Sequence, residues 1–117
     1  MRADRLRLMD AIEQVDLIRA FSERGRNTFF SDMLVQSAIL HRLALLGEAC
    51  RTLSPGLREA HPEVPWAQII AFRNVAIHEY FGLDLDLVWG IVADHVDSLG
   101  AALDCILKSI PERGDLR

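Results

Sequence analysis

Four residues in one short stretch have side chains suited to work on a phosphodiester. They are Arg73, Asn74, His78 and Tyr80, in the run Phe-Arg-Asn-Val-Ala-Ile-His-Glu-Tyr-Phe of residues 72–81. A helix turns about 100° per residue, so Asn74 and His78, four apart, share a face, and Arg73 and Tyr80, seven apart, nearly eclipse each other. With Arg73 at zero, Tyr80, Asn74 and His78 fall at roughly −20°, 100° and 140°. The spacing therefore predicts one polar arc on a helix whose other faces carry Ile69, Ala71, Phe72, Val75 and Ala76.

Each member of the arc has a chemical reading and a plainer one. A neutral imidazole can take a proton from a ribose 2′-hydroxyl, and an imidazolium can protonate a leaving 5′-oxygen; an ordinary imidazole pKa of about 6.5 suits both steps. His78 is thus an acid–base candidate, or else a satisfied core or interface histidine. Arg73 is a two-point clamp on phosphate, or a helix cation paired with a carboxylate such as Glu48. The two readings are compatible, with Glu48 holding Arg73 at rest and a phosphate group engaging it on arrival. Asn74 either donates within the fold or fixes the imidazole or the phosphate. Tyr80 stands near a helix end, where an aromatic ring with a polar tip is common. Glu48 lies inside an apolar helix and needs a partner, so a structural ion pair ranks above a catalytic role for it.

Four helices are predicted to position the arc. Leu6, Met9, Ala11, Ile12, Val15, Leu17, Ile18 and Phe21 recur at three- and four-residue steps over residues 3–23, and Arg24-Gly25-Arg26-Asn27 supplies a stop. A second helix, capped by Asn27 or Ser31, runs to about Leu53 and is apolar over a wide arc broken by Gln36, His41 and Glu48. Ser54-Pro55-Gly56 ends it, and Leu57–Ala60 forms a further short turn of helix. The third helix starts near Pro65, where proline fits the first turn, and continues to about Tyr80. Asp84 or Asp86 caps the fourth, whose stripe is Leu85, Val88, Val92, Val96, Leu99, Leu103, Ile106 and Ile110. Short connections between helices predict an all-α, antiparallel, four-helix up-and-down bundle as a single domain over residues 1–117. The apolar surface of helices two and three exceeds what such a core needs, which points to a homodimer.

Composition narrows the function. Half of the 117 residues are hydrophobic, which excludes a disordered chain. No uninterrupted apolar run reaches the ~18 residues of a membrane span, and the charged N-terminus lacks a signal-peptide core, so the chain is read as cytoplasmic with no membrane partner. The net charge is −4, and it is uneven. Residues 1–60 hold nine arginines against eight acids, whereas residues 61–117 hold three arginines and one lysine against nine acids. A general nucleic-acid binder shows a basic field, so any attraction for RNA here rests on particular arginines. The acidic half could equally hold a basic protein. Cys50 and Cys105 lack ligand spacing and are read as buried reduced thiols. Asp84 and Asp86 are read as capping residues, and Asp94 and Asp97 lie on a wet face. His41, His61 and His95 are structural or exposed, and Trp66 and Trp89 are core. Neither a metal nor a cofactor is expected.

The ordered set Pro65-Trp66, Arg73-Asn74, His78-x-Tyr80, Phe81-Gly82 and the downstream Val88-Trp89 resembles the HepT-like branch of the HEPN superfamily. His61-Pro62-Glu63-Val64 before it and Gly47-Glu48-Ala49 upstream extend the match, which covers roughly residues 30 to 107. The resemblance implies a toxin ribonuclease of a type VII-like toxin–antitoxin pair that cuts tRNA or mRNA without a metal. It implies His78 as acid–base, Arg73 as stabiliser of the phosphorane and Asn74 as positioning group, at a dimer seam that uses the arc of both subunits. It also implies a nucleotidyltransferase antitoxin that attaches adenylate (AMPylation) to Tyr80, next to Arg73. A different class is the alternative: a non-catalytic helical binding partner of a nucleotidyltransferase, its arc serving as a dock. The link between helices one and two is short and departs from the family pattern.

Overall fold

The structure, a computed structural model, describes residues 2–78 and 84–111, without the side chains of residue 2 and residues 75–78. Among the described residues it is all helical, with α1 (Arg2–Ser22), α2 (Gly25–Ser31), α3 (Met33–Arg51), α4 (Pro55–Ala60), α5 (Trp66–His78), α6 (Leu85–Asp94) and α7 (Val96–Ser109). The all-α class stands, but two of the four expected helices are each two.

The first division falls at Asp32. Neither Asn27 nor Ser31 caps the long helix. Asp32 does, accepting from the Leu34 N–H at 2.9 Å in an extended backbone conformation. The short α2 lies ahead of it, entered through Gly25 at φ +90, where a side chain would strain the turn. Phe29 of α2 is fully buried and packs 5.3 Å from Trp89, while Arg26 sits 4.5 Å over the Phe30 ring and 3.3 Å from Asp86. These contacts tie α2 to α6. The second division falls at His95, between α6 and α7. His95 itself leaves the helical conformation, at φ −122 and ψ −27, and the Ser98 hydroxyl donates to its carbonyl at 3.1 Å.

The core follows the apolar spacing. Leu8, Ala11, Val15 and Ile18 of α1 are fully buried, and so are Ile39, Leu46 and Cys50 of α3 and Leu103 of α7. Helix α3 packs against both α1 and α5, and α7 packs on the far side of α1. It is long and apolar enough to cross a membrane by length and composition, but its apolar side chains form the centre of this core. Its N-terminal end is different: Met33 and Leu34 are 73% and 82% exposed. An apolar groove of about 420 Å³ lies between α5 and α6–α7, lined by Ile69, Phe72, Ile91, Val96, Leu99 and Ala102.

Asp84 caps α6, accepting from the Leu87 N–H at 3.2 Å. Ser54 caps α4 and also clasps the buried Asp4 of α1. The start of α5 is fixed by Trp66, whose indole N–H donates to the carbonyls of Arg58 and His61 at 3.1 and 3.0 Å. Trp66 is therefore a core side chain and not a stacking platform. Cys50 is buried as expected, whereas Cys105 is exposed, because it falls outside the α7 stripe of Leu99, Leu103 and Ile106.

Candidate functional site

The site is built where α3 and α5 come closest. Gly47 makes that approach possible. A Cβ there would stand 2.9 Å from the Ile69 carbonyl oxygen, 3.2 Å from that of Ile70 and 3.3 Å from the Arg73 nitrogen. With the two backbones in contact, the neighbouring Glu48 reaches Arg73.

Glu48 then holds two arginines. Its Oε2 is 3.3 Å from the Arg73 Nε. Arg51, one turn along α3, grips the same carboxylate at two points, with Nη2 on Oε1 and Nε on Oε2, the latter at 3.2 Å. All three side chains face solvent, Arg73 at 46%, Glu48 at 38% and Arg51 at 55% exposed. The Arg51 hydrogen bond holds the Glu48 carboxyl below its ordinary range. Partial desolvation opposes that shift, and the charges of Arg51 and then Arg73 add to it. The same hydrogen bond raises Arg51.

Two arginines on one carboxylate leave this open face with a net positive charge. Arg73 comes nearest to the carboxylate through Nε, and its Nη groups make no hydrogen bond among the described residues. Asn74, next along α5, is exposed and its amide likewise has no partner among the described residues. His78 is the last described residue of α5, and its side chain lies outside the described residues, as does Tyr80. The structure thus brings Glu48 to Arg73 and places Asn74 beside them on α5.

Arg51 was missed from the sequence. A cation in the last turn of a helix reads as a partner for the helix dipole, and the usable signal was its i,i+3 spacing from Glu48. Other candidates are accounted for. Asp86 pairs with Arg26, and Asp97 accepts from the Arg19 Nε at 2.7 Å. His41 and His95 are exposed, and the His61 Nδ1 lies 3.5 Å from the Glu63 carboxylate. The apolar groove between α5 and α6–α7 holds none of Glu48, Arg51, Arg73 or Asn74.

With this geometry in hand, the chain can be set beside known proteins. The family model described as "Ribonuclease HepT-like" matches residues 11–106. A protein of Methanocaldococcus jannaschii named "Putative RNase" is 32% identical over 100 residues, covering 85% of this chain and 92% of that one. "Probable ribonuclease HepT" of Thermococcus cleftensis is 31% identical over 102 residues, covering 86% of this chain and 93% of that one. A longer M. jannaschii protein, named "Gamma-glutamylcyclotransferase and putative RNase", is 31% identical over 112 residues, and the chain spans half its length. No solved structure matches the chain significantly. The matched span takes in α3, α5 and the Glu48–Arg73 pair, and on that basis the chain belongs to the HepT-like ribonuclease family.

Proposed function

We propose that this protein is an RNA endonuclease whose chemistry runs on α5 without a metal ion. The observation that carries the reading is Arg73, paired with Glu48 through Nε and with 46% of its side chain exposed. In this account the Arg73 fork takes a scissile phosphate and stabilises the extra charge of the phosphorane. Asn74 donates to the phosphate or orients the imidazole. His78 removes the proton from the 2′-hydroxyl; the oxygen attacks phosphorus, the bond to the 5′-oxygen breaks, and the imidazolium returns the proton to that oxygen. The products are a 2′,3′-cyclic phosphate and a free 5′-hydroxyl. The relatives' names support RNA as the substrate.

The finer parts of the proposal are a homodimer that combines two such arcs, and a nucleotidyltransferase antitoxin that adenylates Tyr80. A phosphate group there competes for Arg73 and closes the site. One observation favours the alternative, a non-catalytic partner of the nucleotidyltransferase. Arg7, Arg19, Arg26 and Arg51 each pair with a carboxylate, and the net charge is −4, which gives weak general attraction for RNA. Expression of the chain alone in a bacterial host separates the two. The nuclease reading expects growth arrest that is relieved by His78→Ala at equal folded protein and by co-expression of the nucleotidyltransferase. No arrest, with Tyr80 shown by mass to be unmodified, would favour the binding partner.

A further inference from the structure

Charge at the Glu48 node raises a difficulty for a phosphate clamp. A lone Arg73–Glu48 pair is neutral, and a neutral pair is a poor receptor for an anion. The carboxylate that aims the guanidinium would also quench it. Arg51 changes that balance. It grips Glu48 in a two-point fork of hydrogen bonds, through Nη2 and Nε, whereas Arg73 forms an ion pair with the same carboxylate, nearest through Nε at 3.3 Å, and no hydrogen bond. The group of three is therefore net positive. The better geometry belongs to Arg51, and the Arg73 Nη groups make no hydrogen bond among the described residues.

We infer that Arg51 is a positioning residue of the phosphate site: it takes up the charge of Glu48, so that Glu48 orients Arg73 without neutralising it. The inference rests on the reading of Arg73 as the phosphate clamp. It assigns Arg51 no contact with RNA, since its fork is already committed to Glu48. It also gives Glu48 two opposed effects, orienting Arg73 and lowering its charge, with Arg51 deciding which prevails.

The test is a double-mutant cycle read by binding, so that it does not depend on turnover. The probe is a single-stranded 2′-O-methyl oligoribonucleotide, which cannot be cut by attack of the 2′-oxygen. Its affinity is measured at low salt for the full chain, Arg51→Ala, Glu48→Gln, the double variant and Arg73→Ala. Removing one exposed charge partner is expected to weaken binding by about two- to fivefold in Arg51→Ala. The loss should shrink to nearly nothing when Glu48→Gln is already present, because no carboxylate remains to quench Arg73. Arg51→Lys, which keeps the charge and loses the fork, should restore most of the affinity.

If Arg51→Ala weakens binding equally with and without Glu48, then Arg51 contacts the RNA itself and the positioning role is overturned. If Arg51→Ala has no effect while Arg73→Ala weakens binding, the inference fails and the clamp stands. If Arg73→Ala has no effect either, the clamp reading falls and takes this inference with it.

Discussion

Gly47 and Ile69 stand so close that α3 has no room for a side chain at that point: a Cβ on Gly47 would be 2.9 Å from the Ile69 carbonyl oxygen. That contact is backbone against backbone, so a rotamer change cannot relieve it. The same approach brings Glu48 within reach of Arg73. Packing and site are therefore set by one residue.

Gly47→Ala should lower stability even though alanine is the better helix former. Overpacking costs about 1–3 kcal/mol, against a helix gain of about 1 kcal/mol. Denaturant unfolding measures the net loss. RNA binding should fall further than the loss of folded protein explains, because spreading α3 from α5 parts Glu48 from Arg73. Gly56→Ala is the control, since nothing lies within 4 Å of a Cβ there.

The Glu48 carboxyl should titrate below its ordinary value of 4.5, chiefly because of the Arg51 hydrogen bond. A depressed folded value means that its contribution is present above the unfolded pKa and is lost as pH falls through the folded one. The node should thus be intact at neutral pH and come apart only in acid, below 4.5. Carbon NMR of the labelled glutamate side chain reads this directly. In Arg51→Ala the midpoint should move up towards the ordinary value, and a midpoint that stays put would contradict the assigned cause.

The link between Glu48 and Arg73 could be anticipated from the sequence, because a lone carboxylate in an apolar helix has to find a cation. The α7 stripe was equally plain, from Val96 through Leu103 to Ile110, and these are buried. Two features were hidden for physical reasons. Asp32 lies among residues that keep a helical apolar pattern on both sides, so its capping role emerges only once the chain has turned there. At His95 the stripe of Val92, Val96 and Leu99 runs on without a break, and the division lies in the backbone angles of one residue, which leave no mark on periodicity. Cys105 was misread because an apolar neighbourhood in sequence says little about which side of a helix a residue occupies.

The two thiols should behave oppositely. Burial pushes the Cys50 thiol up to about 12 and hides it from reagents, while Cys105 is exposed. Native protein should therefore release one equivalent of thiol to a disulfide reagent quickly, and the second only on unfolding. Cys105→Ser should abolish the fast phase, and Cys50→Ser should leave it intact.

Asp4 is 5% exposed and accepts from both the Ser54 N–H, at 2.8 Å, and the Ser54 hydroxyl, at 2.6 Å. Asp4→Ala should leave two donors short of their acceptor and cost about 1–3 kcal/mol. Denaturant unfolding checks the magnitude. RNA binding at equal folded content should be unchanged, because none of these groups belongs to the Glu48 node.

The central claim is that the Arg73 arc cuts RNA. The most direct test incubates purified chain, its Tyr80 shown by mass to be unmodified, with tRNA and bulk RNA in excess chelator, beside Arg73→Ala and His78→Ala of equal folded content. The account predicts cleavage that leaves 2′,3′-cyclic phosphate ends. Loss of a transition-state donor should slow it about 10²–10³-fold in Arg73→Ala, and loss of the acid–base group about 10²–10⁴-fold in His78→Ala. Equal cutting by all three proteins, or none by the wild type, would contradict it.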